Sequence, residues 1–512
     1  MQADPSSPSP TVAPEADARR WYGLNPWLLA AIGTFLLVNA ASQWLVSGTA
    51  DQDQAEQLLL SQSWALGYGA QPPLYTYLVK LLFQITGVAL WPLLLLKVVL
   101  LFLLVLALVR CGELLALRRD QQLFALSGLA LIPQFMWEAQ RDLTHSVLAT
   151  AVAALTLLQL LRLARRPRPA GFIGLGALVA AGLLSKYSFA IFAASLLLTA
   201  LTIPALRRSL LRPSLALAVI TALLLLAPHL TWVLNHSDQA MRGLEKTRSL
   251  GPLNPAGALA GISSAASSAL AFLSPFSLLA AALLWPDRRR LHRADPQQQP
   301  GQALLQRLPL MLSAVLLVVV LATGATRIKD RWYQCLLFYA PLTVATLAPP
   351  LSGRRLQTLV AAGSAAAAAA ALLLPGRTLL AGVTGLSNTP NHPLPQLLAS
   401  LRQQGTPQRI LASSGPIGGS ARLIFPTVPV HTPRSLERGT ARAAVAGERL
   451  LVLIDRDDDP AALNALTAAV LERDIDPARL RDQLIEISLP ERHGPLRRYP
   501  IRYAWIVARG GS

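Results

Sequence analysis

The chain has 512 residues, of which 53% are hydrophobic and only 14% charged, with a formal net charge of +19. A soluble domain carries roughly 25% charged residues, so this composition excludes an ordinary water-soluble fold and makes lipid the main solvent. The basic excess does not point to nucleic acid, because the Arg residues stand in short clusters at the ends of apolar runs, with no basic face interleaved with aromatics.

Residues 1–18 are Pro/Ser-rich and read as disordered, and Arg19-Arg20 follow without a cleavable signal peptide. The first apolar run is therefore expected to stay as an anchor, with residues 1–25 cytoplasmic. A membrane-crossing helix needs about 20 mostly apolar residues. Runs at 26–46, 91–110, 122–137, 143–163, 171–185, 187–206, 214–233, 264–285, 307–325, 333–350 and 356–375 predict an all-α polytopic membrane bundle of about 11 transmembrane helices over 26–375. Three of them, 122–137, 171–185 and 333–350, are short and rely on their flanks. Cys111 and Cys335 fall at the end of one run and inside another, which suggests no disulfide framework and no metal site.

With Arg19-Arg20 inside, the inner loops carry Arg110/Arg118/Arg119, Arg165/Arg166/Arg168, Arg207/Arg208/Arg212, Arg288/Arg289/Arg290/Arg293 and Arg354/Arg355. Every dense Arg cluster then lies on the cytoplasmic side. This holds only if Leu74–Gly87, which is short and carries Lys80 and Gln84, lies along the outer interface as an amphipathic helix. Lys97, inside an apolar run with no acid in the spans, reads as snorkelling.

The outer loops, 47–90 and 138–142, hold the chemistry. Asp53 and Glu56 lie one helical turn apart, and together with Asp51 they could bind a metal, act as a base or simply be solvated. Asp142 and His145 share a face at i and i+3. Asp51, Asp53 and His145 form the set that could hold a divalent metal. Against the orientation rule, Lys186, the trio Arg327, Lys329 and Arg331, and the group Arg242, Lys246 and Arg248 also face outward; cations at headgroup depth suit a lipid phosphate. From Asn388 onward, strand-like runs (Arg409–Ser413, Leu450–Asp455, Leu484–Ser488, Tyr503–Ala508) alternate with helix-like ones (Pro395–Gln404, Ala461–Arg473), predicting a small C-terminal α/β extracytoplasmic domain over 388–512. Gly415–Gly419 lacks both the P-loop pattern and the dinucleotide spacing and reads as a turn.

Asp53-Gln54-Ala55-Glu56, Gln62, Gly67-Tyr68, Gln71-Pro72-Pro73-Leu74-Tyr75, Arg141-Asp142-Leu143-Thr144-His145, Ser185-Lys186-Tyr187, Pro228-His229 and Arg331-Trp332 together resemble the family-39 membrane glycosyltransferases of the GT-C class, a group that includes protein O-mannosyltransferases and lipid A aminoarabinose transferases. The resemblance implies a polyprenyl-phosphate sugar donor, membrane lipid as a second partner, and an inverting displacement at the outer face of the cell membrane, here a bacterial inner membrane. It assigns Asp53 as catalytic base and Asp142 as the second-loop acid. Substrate contacts are expected from Gln54, Glu56, Gln62, Tyr68, Gln71, Arg141, His145, Lys186, Tyr187, Arg327, Lys329 and Arg331. The family's usual Asp-Glu is Asp53-Gln54 here, which weakens a metal role for that pair. The acceptor (lipid, glycan or protein) stays open. The alternatives are a flippase for the same lipid, which would call for polar residues within the spans and broken helices at mid-membrane, and an anchor presenting a binding domain.

Overall fold

Long runs of Leu, Ala and Val between Arg-rich gaps leave the backbone one way to satisfy its polar groups in lipid, the helix. The computed structural model describes residues 26–245, 255–386, 388–455, 460–471, 483–494 and 497–508. Residues 1–25, Lys246, Arg248 and Arg473 lie outside the described residues. Among the described residues, seven helices are long and apolar enough to cross a membrane: Pro26–Val46, Leu90–Leu114, His145–Arg165, Leu215–Asn235, Ala256–Leu273, Pro300–Thr323 and Gly353–Leu379.

The other predicted spans are shorter or broken, and a proline stands at most of the breaks. A proline has no N–H to give the helix ladder and pushes the residue before it out of the helical region. Arg119–Ala130 stops before Pro133 and resumes as a π-helical turn, Gln134–Glu138. Phe189–Leu201 and Pro204–Leu210 meet at a 112° bend. The run expected at 264–285 is instead a helix from Pro255 to Leu273, broken at Ser274-Pro275 and followed by Phe276–Leu284. Pro341 opens Ala340–Leu347, the main helix of the run expected at 333–350. Pro169–Ser185 is an intact helix of 17 residues. Leu74–Thr86 is a short helix that buries Tyr75, Thr76, Val79 and Phe83 and exposes Leu81 and Ile85.

The gaps sort cleanly between the two ends of the bundle. The predicted inner loops are bonded to one another: Arg165 donates to the Leu114 carbonyl, Gln302 to Leu115 at 2.9 Å, Arg307 to Thr202 at 3.2 Å and the Leu351 amide to Asp120 at 3.3 Å, while Arg355 pairs with Asp287. At the opposite end the predicted outer loops meet. Gln57 reaches His145, His229 reaches Leu66, and Gln134 reaches Asp330.

The C-terminal region is a five-stranded sheet of order β2-β1-β3-β5-β4, with β1 Arg409–Ala412, β2 Val430–His431, β3 Arg449–Asp455, β4 Ile485–Pro490 and β5 Arg498–Val507. β2 and β3 run parallel to β1, while β5 is antiparallel to β3 and β4. Side chains alternate across a strand, so Leu451 and Leu453 join one core with helices Leu394–Gln404 and Gly415–Ile424. Leu450, Val452 and Ile454 join a second core with Leu463, Leu466 and Val470. This is why the β3 run is apolar without alternation.

The expected turn at Gly415–Gly419 is instead the first half of a helix, and its glycines let it press onto helix Gln52–Leu60. A Cβ on Gly419 would lie 2.6 Å from both Cα and Cβ of Ala55. Beside that contact Gln62 holds the β2 backbone at both ends, donating to the Val430 carbonyl at 2.9 Å and accepting from its amide at 2.8 Å. Glu56 faces Arg434 and Arg438 at 3.6 and 3.8 Å. Thr49 donates to the His392 carbonyl, and His493 to that of Val46.

Gly419→Leu should overpack this contact and lower stability by about 1–3 kcal/mol, read as a lower melting temperature in detergent and faster protease release of the C-terminal domain. Gly415→Ala, where nothing lies within 4 Å of the added carbon, should leave both unchanged. Equal behaviour of the two variants would mean that the helices do not touch.

Candidate active site

The segment Asp51-Gln52-Asp53-Gln54 starts a helix by its own chemistry. Asp51 caps it, accepting from the Gln52 amide at 3.0 Å, while Gln54 reaches back to the Asp51 amide at 3.2 Å. This is a reciprocal capping box. It gives two of the residues proposed above for metal or substrate, Asp51 and Gln54, a structural duty. Asp53 is left in the first turn, where the positive end of the helix dipole favours a carboxylate.

Asp142 arrives from the other predicted loop, after the π-helical turn, and is buried at 7% exposure. Its carboxylate accepts from the Asp53 backbone amide, with Oδ1 at 3.2 Å and Oδ2 at 3.4 Å. The next residue, Leu143, holds φ at +53°, a left-handed conformation that costs a bulky residue roughly 1–2 kcal/mol. Burial first, then the charges of Asp53 and Asp51, raise the Asp142 carboxyl from 3.8 to about 7. The Tyr75 phenol, buried and under the charges of the same two aspartates, is also pushed up.

Lys97 does not snorkel. It is buried at 5% exposure, its Nζ lies 3.5 Å from the Gln140 carbonyl, and its acidic neighbours, Asp142, Asp53 and Asp51, come from the loops, where a search of the spans could not find them. Gln43 fixes the same turn, donating to the carbonyls of Gln140 and Arg141 at 2.8 Å each. Arg141 pairs with Glu138 at 2.9 Å. Arg141, Asp51, Gln54 and Gln43 line one cleft with Arg377, from the last turn of helix Gly353–Leu379.

The remaining expected residues make other contacts, with Lys186 still within electrostatic reach of Asp53 and Arg331. His145 is buried with both ring nitrogens engaged, by the Gln57 amide at 3.0 Å and the Ser185 carbonyl at 3.2 Å, and Gln57 in turn accepts from Thr76. His145 therefore ties three helices together instead of turning to a metal or substrate. The set Asp51, Asp53 and His145 is not assembled, and among the described residues no three His, Cys, Asp or Glu side chains gather into a metal-binding group. Gln62 and Glu56 serve the domain contact described above. Tyr68 closes its own loop, donating to the Ser63 carbonyl at 2.7 Å and bridging to Gln71. Lys186 donates to Ser146 at 2.6 Å. Tyr187 donates to His229 at 3.1 Å and stacks on it, at the head of a column continued by Trp232 and His236. Arg242 pairs with Asp238 and Glu437. Arg327, Lys329 and Arg331 are exposed on a segment pinned to helix Pro255–Leu273 by Ser264 and Ser268.

Of the functional candidates that pattern reasoning missed, Lys97 carried a signal as a lone cation in an apolar run. Arg377 carried none, since it looks like an ordinary charge ending a span.

Residues 70–232 match the family described as dolichyl-phosphate-mannose-protein mannosyltransferase. The lipopolysaccharide core galacturonosyltransferase RgtB of Rhizobium johnstonii is 33% identical over 411 residues, covering 79% of this chain and 82% of that protein. The lipopolysaccharide core galacturonosyltransferase RgtA of the same organism is 29% identical over 493 residues, covering 94% and 96%. In fold, the chain is similar to ArnT from Cupriavidus metallidurans bound to undecaprenyl phosphate, with a TM-score of 0.63 at 12% identity over 95% of this chain and 99% of that one.

The raised Asp142 carboxyl has a consequence for stability. Between about pH 4 and pH 7 the folded chain keeps this proton while an unfolded chain has lost it, so stability falls as pH rises through that window. Asp142→Asn removes the dependence. Its stability relative to wild type should climb across the window by up to about 1.4 kcal/mol per pH unit, measured by denaturant unfolding in detergent at stepped pH. A difference flat with pH would show that Asp142 does not titrate there.

Proposed function

The chain belongs to the GT-C family of membrane glycosyltransferases that includes RgtA and RgtB, and from that premise we propose that it moves a galacturonosyl unit from a polyprenyl phosphate to a lipopolysaccharide core sugar at the outer face of the membrane. The observation that carries this reading is the contact between Asp53 and Asp142. The Asp142 carboxylate from one loop accepts from the Asp53 amide at the N-terminus of a helix from another, at the end of the bundle that also holds the C-terminal domain. The donor class follows from the relative crystallised with undecaprenyl phosphate, and the sugar and acceptor from the names of the two sequence relatives.

In this reading an acceptor hydroxyl attacks the anomeric carbon, its proton passes to Asp53, the bond from that carbon to the phosphate oxygen breaks, and polyprenyl phosphate leaves with the electron pair. Asp142 holds the Asp53 backbone in place. Lys186 and Arg331 are the cations assigned to the leaving phosphate. The orientation follows from charge. The Arg-rich loops gather at the end opposite the carboxylates, so the positive-inside rule puts them, and the N-terminus, in the cytoplasm and the C-terminal domain outside.

Asp53→Asn should cut transfer by on the order of 100- to 10,000-fold with the melting temperature preserved. The assay uses detergent-solubilised protein, labelled polyprenyl-phosphate galacturonose and a lipopolysaccharide core acceptor. Full transfer by the variant would overturn the assignment of the base.

A further inference from the structure

Arg377 stands in the last turn of its helix, and its carbonyl is held by Asn388 at 3.2 Å. Its Nε is shut off from solvent and meets no hydrogen-bond partner among the described residues. The Nε of Arg141 across the same cleft is in the same condition, although the Arg141 guanidinium has Glu138 as its counter-charge. Asp51, the acid of the cleft, spends its carboxylate on the first turn of its own helix and forms no ion pair with Arg377. Arg377 is therefore half-withdrawn from water with no acid within ion-pair distance among the described residues, although Asp51, Glu138 and Asp142 act on it from farther off. A cation so placed is costly unless an anion completes it.

The rest of the cleft says what kind of anion. The flat guanidinium matches a planar carboxylate in two parallel hydrogen bonds. Beside it the Gln43 Oε1, buried without a hydrogen-bond partner among the described residues, is an acceptor of the kind that bonds a sugar hydroxyl, while Thr49, Gln54 and Thr378 line the cleft with hydrogen bonds already made within the protein. Arg141 precedes Asp142 in the chain, and Asp51 and Asp142 both act electrostatically on Arg377, so a ligand seated there lies toward the contact between Asp142 and the Asp53 amide. We propose that the cleft between Arg377 and Arg141 is the subsite for the sugar carboxylate of a uronosyl donor, with Arg377 the residue that selects an acidic sugar over its neutral counterpart. This deepens, and rests on, the reading of the chain as a uronosyl transferase. In a pyranuronate the carboxylate hangs from C5, which the ring oxygen separates from the anomeric carbon, and it takes no part in the displacement. Arg377 is thus a specificity residue removed from the bonds that change.

The test compares two donors on the same full-length preparation, polyprenyl-phosphate galacturonose and polyprenyl-phosphate galactose, which differ only in a carboxylate against a hydroxymethyl group. The readout is the ratio of their kcat/KM values, which does not depend on how much of a preparation is folded. Arg377→Gln should lower that ratio on the order of 10- to 100-fold, through the KM for the uronosyl donor, and Arg377→Lys should restore part of it. An unchanged ratio, a change confined to the KM for the acceptor, or loss of both activities in both variants would overturn the proposal. If the wild-type protein transfers no galacturonose at all, the reading of its function fails. If the wild type transfers it and the ratio ignores Arg377, only the subsite fails.

Discussion

The bond from the Asp53 amide to the Asp142 carboxylate is the constraint on which this end of the bundle is arranged. Two acids placed this close repel, and burial adds to the cost, so neither loop would adopt the arrangement alone. The surroundings offset it in three ways. The first turn of helix Gln52–Leu60 supplies unpaired amides and the positive end of its dipole. Lys97 brings a cation up from within the bundle. The π-helical turn and the left-handed Leu143 then aim Asp142 at an amide that a straight helical exit would have missed. Strain of this kind persists where the neighbours over-determine it, and here Gln43 fastens the two carbonyls just before Asp142.

The same short helix explains why the soluble domain packs so tightly against the membrane part. Its outer face is small at Ala55, which admits the glycine face of helix Gly415–Ile424. Its flank carries Glu56 toward Arg434 and Arg438, and the loop after it carries Gln62 onto the β2 backbone. One nine-residue helix therefore presents its N-terminus to Asp142 and its side to the C-terminal domain. Movement of that domain would be felt at Asp53 through one rigid element.

Charge and hydropathy made the architecture legible because lipid enforces them directly. The Arg clusters that sorted the loops in the sequence sort the same loops in space, and the interfacial helix Leu74–Thr86 could be told from a span by its length and by Lys80. The strands of the C-terminal domain were legible as well, apart from the two-residue β2. Two things were hidden. Helix breaks at prolines turn several apolar runs into bent or short pieces, and hydropathy averages over them. Pairwise polar duties are the other. Gln54, Gln62, Glu56 and His145 stand in motifs shared with catalytic loops, yet capping, domain contact and helix tying claim their hydrogen bonds, and a one-dimensional pattern cannot show which partner a side chain will meet.

The residues that the sequence undervalued, Lys97 and Arg377, share a physical reason. Each is a single basic residue at or near the end of a long apolar helix, the position where a snorkelling anchor is the ordinary outcome. What separates the two cases is whether the end of that helix opens to lipid headgroups or is roofed by protein. Here the roof is built from the two acidic loops and the start of the C-terminal domain, which join through the Asp53 amide and Asp142 and through Thr49 and the His392 carbonyl. A cation beneath such a roof has lost the water that would have solvated it. Its partner must come from the loops, as for Lys97, or from what the site binds, as for Arg377. The chemistry of this end of the bundle is thus set less by which residues line the loops than by how completely the loops close over the helix ends.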